Sequence, residues 1–198
     1  MINDILKPGI ILFVIAAIAA GLLGVVNSAT EKPIKEQEIK TMNEAKNMVF
    51  PGENLEFSEE TEVPSENLSG LSSLAYSVGK DETGNITGYA VKSAAKGYGG
   101  DISIMVGVSK DGTVKGISIL GHSETPGLGA NADNDSFKNQ YKDKKAPFEV
   151  VKSGASGNNS EVTYIDAITS ATITSKAVTT AVNGAVYYCK SELIKEGA

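Results

Sequence analysis

The sequence predicts a mixed α+β fold: a largely antiparallel sheet with flanking helices, tethered by one N-terminal transmembrane helix. Three observations predict it. A charge-free apolar run fills residues 10–26, and apolar and polar side chains alternate between residues 74 and 120 across turn-forming sequences. From Val178 to Leu193, apolar residues recur at steps of three and four. Alternation is the period of a half-buried strand, and the three-four spacing that of one buried helix face. Segregated hairpins followed by a long helix point away from a doubly wound fold.

The elements follow in chain order. Ile10 to Val26 carries no charged residue, and at about 1.5 Å per residue it reaches roughly 26 Å, the low end of what a hydrocarbon core requires. A cleaved signal peptide competes with this reading. Its apolar region is normally shorter, and Asn27-Ser28-Ala29 is a poor cleavage site, so a retained anchor is expected. Lys7 and the amino terminus outweigh Asp4 on one side, while Lys32 and Lys35 follow on the other. The positive-inside rule then expects residues 1–9 in the cytoplasm and the rest outside, a single-pass arrangement in the cell (inner) membrane. Ala16, Ala20 and Gly24 share one helix face, either as a close-packing stripe or as a lipid-facing surface without further role.

Residues 27–70 are expected to form a helical and acidic linker region. Ile39, Met42, Ala45, Met48 and Val49 suggest a helix from Ile34 to Phe50 that Pro51-Gly52 ends, and residues 53–70 read as an acidic, Ser-rich loop. The region 71–198 reads as one domain. Leu74 to Val78 and Ile86 to Val91 flank Asp81-Glu82-Thr83-Gly84, and Ile102, Ile104, Val106 and Val108 alternate. Asp111-Gly112 then turns the chain into Val114 to Leu120, a strong hairpin signal. Ser136 to Lys142 reads as a short helix, Phe148 to Val151 as a strand and Gly154 to Ser160 as a mobile loop.

Composition excludes several classes. A net charge of −6 with one His and no Lys/Arg cluster argues against nucleic acid as a partner. No Gly-rich dinucleotide fingerprint follows a strand, and no CxxC or His/Cys cluster is present, so neither a nicotinamide site nor a metal centre is expected. Cys189, the single cysteine, lies on the apolar face of the last helix and reads as a small buried hydrophobe. Adjacent His122, Ser123 and Glu124 have the residue types of a catalytic triad, but neighbours in one loop do not converge as a triad must.

Residues 166–175 carry five hydroxyl side chains behind Asp166, just before the predicted last helix. Two readings stand. Ser and Thr at a helix start are ordinary N-caps, and the same unpartnered N–H groups, with the helix dipole, favour a phosphate. Asp166 reads as a turn residue or as part of the loop's presentation. A second stretch, Glu124-Thr125-Pro126-Gly127-Leu128-Gly129, combines a tight turn, room for close approach at Gly129 and an apolar surface at Leu128 suited to a planar ring.

Together these stretches resemble the FMN-binding domain family. Thr169-Ser170-Ala171-Thr172-Ile173-Thr174 is similar to its flavinylation motif, Ser/Thr-Gly-Ala-Thr-x-Ser/Thr, with Ser170 where Gly is usual. The resemblance implies covalent FMN on Thr174 through a phosphoester, with Thr169, Ser170, Ala171 and Thr172 forming the motif. It also implies that Glu124, Thr125, Leu128 and Gly129 lie against the flavin, and that Tyr98 of Gly97-Tyr98-Gly99-Gly100 contacts it; on sequence alone that stretch reads slightly better as a joint between two strands. Within the family, the membrane segment, the Gly97-Tyr98-Gly99-Gly100 stretch and the modest length most resemble the G-subunit branch of Rnf complexes. These assemblies couple electron transfer between ferredoxin and NAD to sodium or proton transport; the related C-subunit branch of sodium-translocating NADH:quinone oxidoreductases is usually longer. The implied role is an extracytoplasmic electron carrier. Implied partners are the other membrane subunits, among them a second flavinylated subunit, and a flavin transferase that attaches FMN from FAD. A membrane-tethered binding or scaffold domain without flavin, or a flavinylated domain of another extracytoplasmic chain, is the alternative.

Overall fold

The computed structural model describes residues 2–64, 68, 70–152, 154, 155, 157 and 159–194, with side chains from Pro8 onward. The side chains of Asp4 and Lys7, on which the orientation argument rests, therefore lie outside the described residues. So do residues 65–67 and 69 of the expected acidic loop and 156 and 158 of the expected mobile loop. Two compact units result, Met1–Met42 and Asn43–Ala198.

The first unit is helical. Helix α1 is assigned over Ile2–Val49, so the apolar run and the segment from Ile34 belong to one helical stretch. Pro33 lies inside it without an N–H to donate. Around that point Thr30 Oγ1 donates to the Val26 carbonyl at 2.9 Å, and Lys35 pairs with Glu31 at 2.7 Å. Large side chains from Ile10 to Val26 are exposed, and by length and composition this is the one described helix able to cross a membrane.

The second unit is built on a seven-stranded antiparallel sheet. Its long strands are β3 (Ser73–Lys80), β4 (Ile86–Lys96), β5 (Asp101–Ser109) and β6 (Thr113–Gly121), paired in sequence order. Turn chemistry sets the register. Asp81 Oδ1 accepts the Thr83 and Asn85 N–H groups at 2.9 and 3.0 Å. Gly112 takes φ +78° in the β5–β6 turn, where hydrogen bonds from Ser109, Lys145 and Thr113 hold the Asp111 carboxyl far below its usual range.

Short edge strands β1 (Glu56–Phe57) and β2 (Thr61–Glu62) arise within the segment read as loop, and β7 (Lys144–Lys145) pairs with β6. Two-residue strands are too short to display a period. β8 (Phe148–Val151) pairs in parallel with β9 (Thr163–Asp166) in a separate two-stranded sheet. β9 buries only Ile165 fully, so its sequence carries little strand signal. The expected helix 136–142 is shorter: α2 spans Asp135–Lys138, and turns continue the chain. Phe137 and Tyr141 are both buried four residues apart and pack edge-on, which gives the sequence its helical look.

Helix α3 (Thr172–Tyr188), followed by a π-helical turn (Cys189–Leu193), lies on one face of the sheet. Val178, Ala181, Val182, Ala185, Val186 and Cys189 join Val91, Ile104 and Val106 in one core. Each fully buried valine stabilises the fold by roughly 1.5–3 kcal/mol relative to exposure. Tyr141 and Thr179 share a buried hydrogen bond of 2.7 Å. Burial pushes the Cys189 thiol up to about 12, consistent with an apolar role.

The other face receives the end of α1. Along β5, Ile104 and Val106 point to α3, so Met105 and Gly107 point away from it. There Val49 and Phe50 are buried. A methyl at Gly107 would meet the Val49 carbonyl and lie 3.0 Å from Val49 Cβ. One at Gly88 would lie 2.9 Å from the Phe50 ring, and one at Gly116 would lie 3.4 Å from Val49 Cα. Glycines on three neighbouring strands thus form a trough for residues 49 and 50.

Gly107→Ala should therefore cost about 1–3 kcal/mol through overpacking, read from urea unfolding, whereas Gly121→Ala, with open space around its Cβ position, should cost clearly less. Equal stabilities for the two variants would mean that the helix end is not held in the trough.

Candidate functional site

Strand β9 delivers the hydroxyl-rich stretch to the start of α3. At its end the Asp166 N–H donates to Gln140 Oε1 at 2.7 Å, and its carboxylate accepts the Gly154 N–H at 3.2 Å. Asp166 thus anchors a turn. Ser175, from inside the first helical turns, reaches back: its Oγ accepts the Ile168 N–H at 3.0 Å and donates to the Ala171 carbonyl at 2.9 Å. Between those anchors Ser170 adopts φ +60°. That left-handed conformation explains why glycine suits this position, and a serine holds it at a cost of roughly 1–2 kcal/mol. The Ser170 side chain is exposed, so the departure from the motif is absorbed as backbone strain without a steric clash.

The hydroxyl cluster does not cap the helix. Ala171 is the N-cap residue, without a side-chain cap hydrogen bond among the described residues. Ser175 N–H is already bonded to the Ala171 carbonyl, so the N–H groups of residues 172–174 form the uncapped turn. Thr174, third in the helix, is only 2% exposed and donates its hydroxyl to Glu124 Oε2 at 2.5 Å.

Glu124 sits on the loop after β6. Thr125-Pro126-Gly127-Leu128 makes a tight turn closed by the Leu128 N–H on the Thr125 carbonyl at 3.1 Å, with Gly127 at φ +77°, as a type II turn requires. The other Glu124 oxygen, Oε1, accepts the Tyr98 and Gly99 N–H groups at 2.8 and 2.9 Å. Those donors lie in the β4–β5 turn. A methyl at Gly97 would strike Glu124 Oε1, and one at Gly99 would strike the Ser123 carbonyl. The Gly-Tyr-Gly-Gly stretch therefore does more than join two strands: it admits the neighbouring loop. Burial pushes the Glu124 carboxyl up, but the hydrogen bonds from Thr174, Gly99 and Tyr98 outweigh it, and the group is held below its usual range. His122 adds a smaller effect in the same direction, and its Nδ1 accepts the Glu124 N–H at 3.2 Å.

These segments enclose a cavity of about 540 Å³, within the usual size of a cofactor site. Of the residues singled out in the sequence, Tyr98, Glu124, Thr125, Leu128, Gly129, Ser170, Ala171, Thr172 and Thr174 line it, and Thr169 does not, standing exposed on the preceding turn. Ile173 also lines it, with Tyr98, Leu128 and Ile173 exposing apolar surface at 74, 42 and 55%. The lining contains no Lys or Arg, and its one charge is the Glu124 carboxylate. Sequence reasoning missed the Gly99 donor, the His122 acceptor and the Ser175 clasp. Each lay in a stretch the sequence had singled out: Gly99 in the Gly-Tyr-Gly-Gly run, His122 beside Glu124, and Ser175 as the fifth hydroxyl of the cluster. Among the described residues no group of His, Cys, Asp or Glu could hold a metal ion.

Comparison with known proteins identifies the family. Residues 97–187 match the FMN-binding domain family, and residues 1–49 match the RnfG N-terminal region. The chain is 37% identical over 193 residues to the G subunit of the Na(+)-translocating ferredoxin:NAD(+) oxidoreductase complex of Acetobacterium woodii, covering 90% of this chain and 88% of that one. It is 32% identical to the G subunit of the ion-translocating oxidoreductase complex of Methanosarcina acetivorans, over 96% and 97% of the two chains. Among solved structures, the C subunit of the Na(+)-translocating NADH-quinone reductase from Parabacteroides distasonis shares the fold, with a TM-score of 0.60 at 23% identity, over 80% of this chain and 95% of that one. The chain therefore belongs to the G-subunit family of Rnf ion-translocating oxidoreductase complexes and carries that family's FMN-binding domain.

Proposed function

We propose that this chain is the electron-carrier subunit of a membrane-bound Rnf-type ferredoxin:NAD oxidoreductase, holding FMN covalently on Thr174. The observation that carries the reading is the cavity itself, which joins an uncapped helix start bearing the Thr174 hydroxyl to a Pro-Gly loop with apolar surface. The donor set fits the group. Free N–H groups at a helix start suit a phosphate, and Leu128, Ile173 and Tyr98 offer apolar surface to a planar ring. With no Lys or Arg in the lining and a carboxylate inside it, the cavity is poorly equipped to retain a phosphate reversibly. A covalent link removes that difficulty. FMN held there would supply one-electron transfer, while the protein supplies position and environment.

The roles divide by residue. Thr174 would be the attachment point, Thr169 to Thr172 would present it, and Thr125 and Gly129 would border the ligand beside Glu124. The flavin domain, spanning about residues 71–198, would lie outside the cytoplasm, with residues 1–9 inside and residues 10–26 in the membrane. Partners would be the other Rnf membrane subunits, including a second flavinylated one, and a flavin transferase using FAD. The coupling ion would be sodium or a proton, both of which occur in the names of relatives in this family. A scaffold domain whose hydroxyls merely cap the helix is disfavoured, since Ala171 is the N-cap residue and has no side-chain cap among the described residues.

Two predictions test the assignment. Coexpressed with the transferase, the wild type and Thr172→Val should gain the mass of one FMN, and Thr174→Val should gain none. Flavin kept by Thr174→Val but lost by Thr172→Val would move the site. On sequence alone the valine variant is expected to be nearly neutral for stability. The bond to Glu124 revises this, since leaving a buried carboxylate short of a donor costs about 1–3 kcal/mol. Leu128→Asp should retain the covalent mass but shift the visible flavin spectrum and reduction potential; an unchanged spectrum and potential would remove Leu128 from the flavin's surroundings.

A further inference from the structure

We infer that Glu124 is the proton acceptor for flavin attachment, taking the Thr174 hydroxyl proton as the phosphoester forms. The inference rests on the proposal that Thr174 is the attachment point. Its basis is the geometry around one oxygen. Thr174 Oγ1 has a single hydrogen-bond partner among the described residues, Glu124 Oε2 at 2.5 Å, and the hydroxyl is the donor. A carboxylate in that position is where a general base must stand.

The carboxylate is fixed. Its other oxygen is held by the Tyr98 and Gly99 N–H groups, so Oε2 stays directed at the hydroxyl. A methyl at Gly129 would strike Glu124 Oε2 and lie 2.6 Å from Thr174 Oγ1, so this backbone closes over both atoms. The hydrogen bonds to the carboxylate keep it ionised at neutral pH, and His122 is the one other titratable group that acts on it among the described residues. From α3 it meets the neutral Thr174 hydroxyl, and from the β4–β5 turn it meets backbone N–H groups.

The step balances without an oxidant or reductant. Thr174 Oγ1 attacks the flavin-side phosphorus of a flavin dinucleotide. The Oγ1–P bond forms, the bond from that phosphorus to the bridging pyrophosphate oxygen breaks, and AMP leaves. The hydroxyl proton passes to Glu124 Oε2, so the bonded product faces a neutral carboxyl instead of a carboxylate. Without that transfer, an ester oxygen and a carboxylate would oppose each other at hydrogen-bonding distance with no proton between them.

The test is the rate at which the full-length, unmodified chain in detergent gains FMN mass from FAD and purified flavin transferase. Glu124→Gln keeps the shape and an oxygen for the Tyr98 and Gly99 donors but is no base, and Glu124→Asp keeps the carboxylate while shortening its reach. We expect E124Q to label at least about 100-fold more slowly than wild type, and E124D to label faster than E124Q. A purely structural role gives the opposite order, so E124Q labelling like wild type, or faster than E124D, overturns the inference. Thermal melts establish that each variant is folded; if E124Q is not, E124D and Glu124→Asn make the same comparison one methylene shorter, with equal rates overturning the inference. Failure of the underlying proposal looks different: wild type would gain no mass, or Thr174→Val would still gain it.

Discussion

One buried carboxylate ties together three segments far apart in the chain. Glu124 bonds the β4–β5 turn through Oε1 and the first turn of α3 through Oε2, while its own backbone follows β6. The cavity exists because these three contacts coincide. The local sequence accommodates them: glycines at 97, 99 and 129 stand where a methyl would collide with Glu124 or its neighbour Ser123. A carboxylate inside a protein is tolerated when its lone pairs are met by donors, and here every donor comes from the site's own walls. The charge thereby fixes the wall positions relative to one another. Losing it would unlink three loops at once.

The anchoring behind the site is apolar and two-sided. α3 lays Val178, Val182 and Val186 on one face of the sheet, and Val49 and Phe50 fill the glycine trough on the other. Thr174 is thus the cavity-facing end of a rigid stack. Ser175 extends that rigidity to the preceding loop, since its hydroxyl bonds both Ile168 and Ala171. The left-handed Ser170 lies between the two residues so bonded, where the surrounding contacts hold its strained backbone.

Much of this was readable from local pattern. The alternation at Ile102 to Val108, the Asp111-Gly112 turn and the three-four spacing after Val178 each encode one element, because each depends on near neighbours. Strand β9 was not readable, since its partner β8 is parallel and its four residues bury one side chain fully. The early stop of α2 was hidden because Phe137 and Tyr141 share a core at helical spacing without a helix between them. At the site, residue types identified which segments matter, and Tyr98, Glu124 and Thr174 were singled out separately. Their mutual bonding was not legible, because a contact between residues fifty positions apart leaves no trace in the spacing of either. The uncapped Ala171 runs against the usual expectation for a Thr-rich helix start, and such departures from local rule are expected where a site is built.

Attachment at Thr174, as proposed, would have a consequence for how a flavin is kept. A group held by contacts alone fills its site according to its concentration and dissociation constant. Once joined to α3, a flavin would have an occupancy set by the attachment reaction and unaffected by later dilution. Nor could a change of oxidation state, which alters contacts, release it. Selection on the surrounding residues would then be free of any demand for affinity, and a cavity whose lining holds no Lys or Arg could be shaped for electron transfer alone.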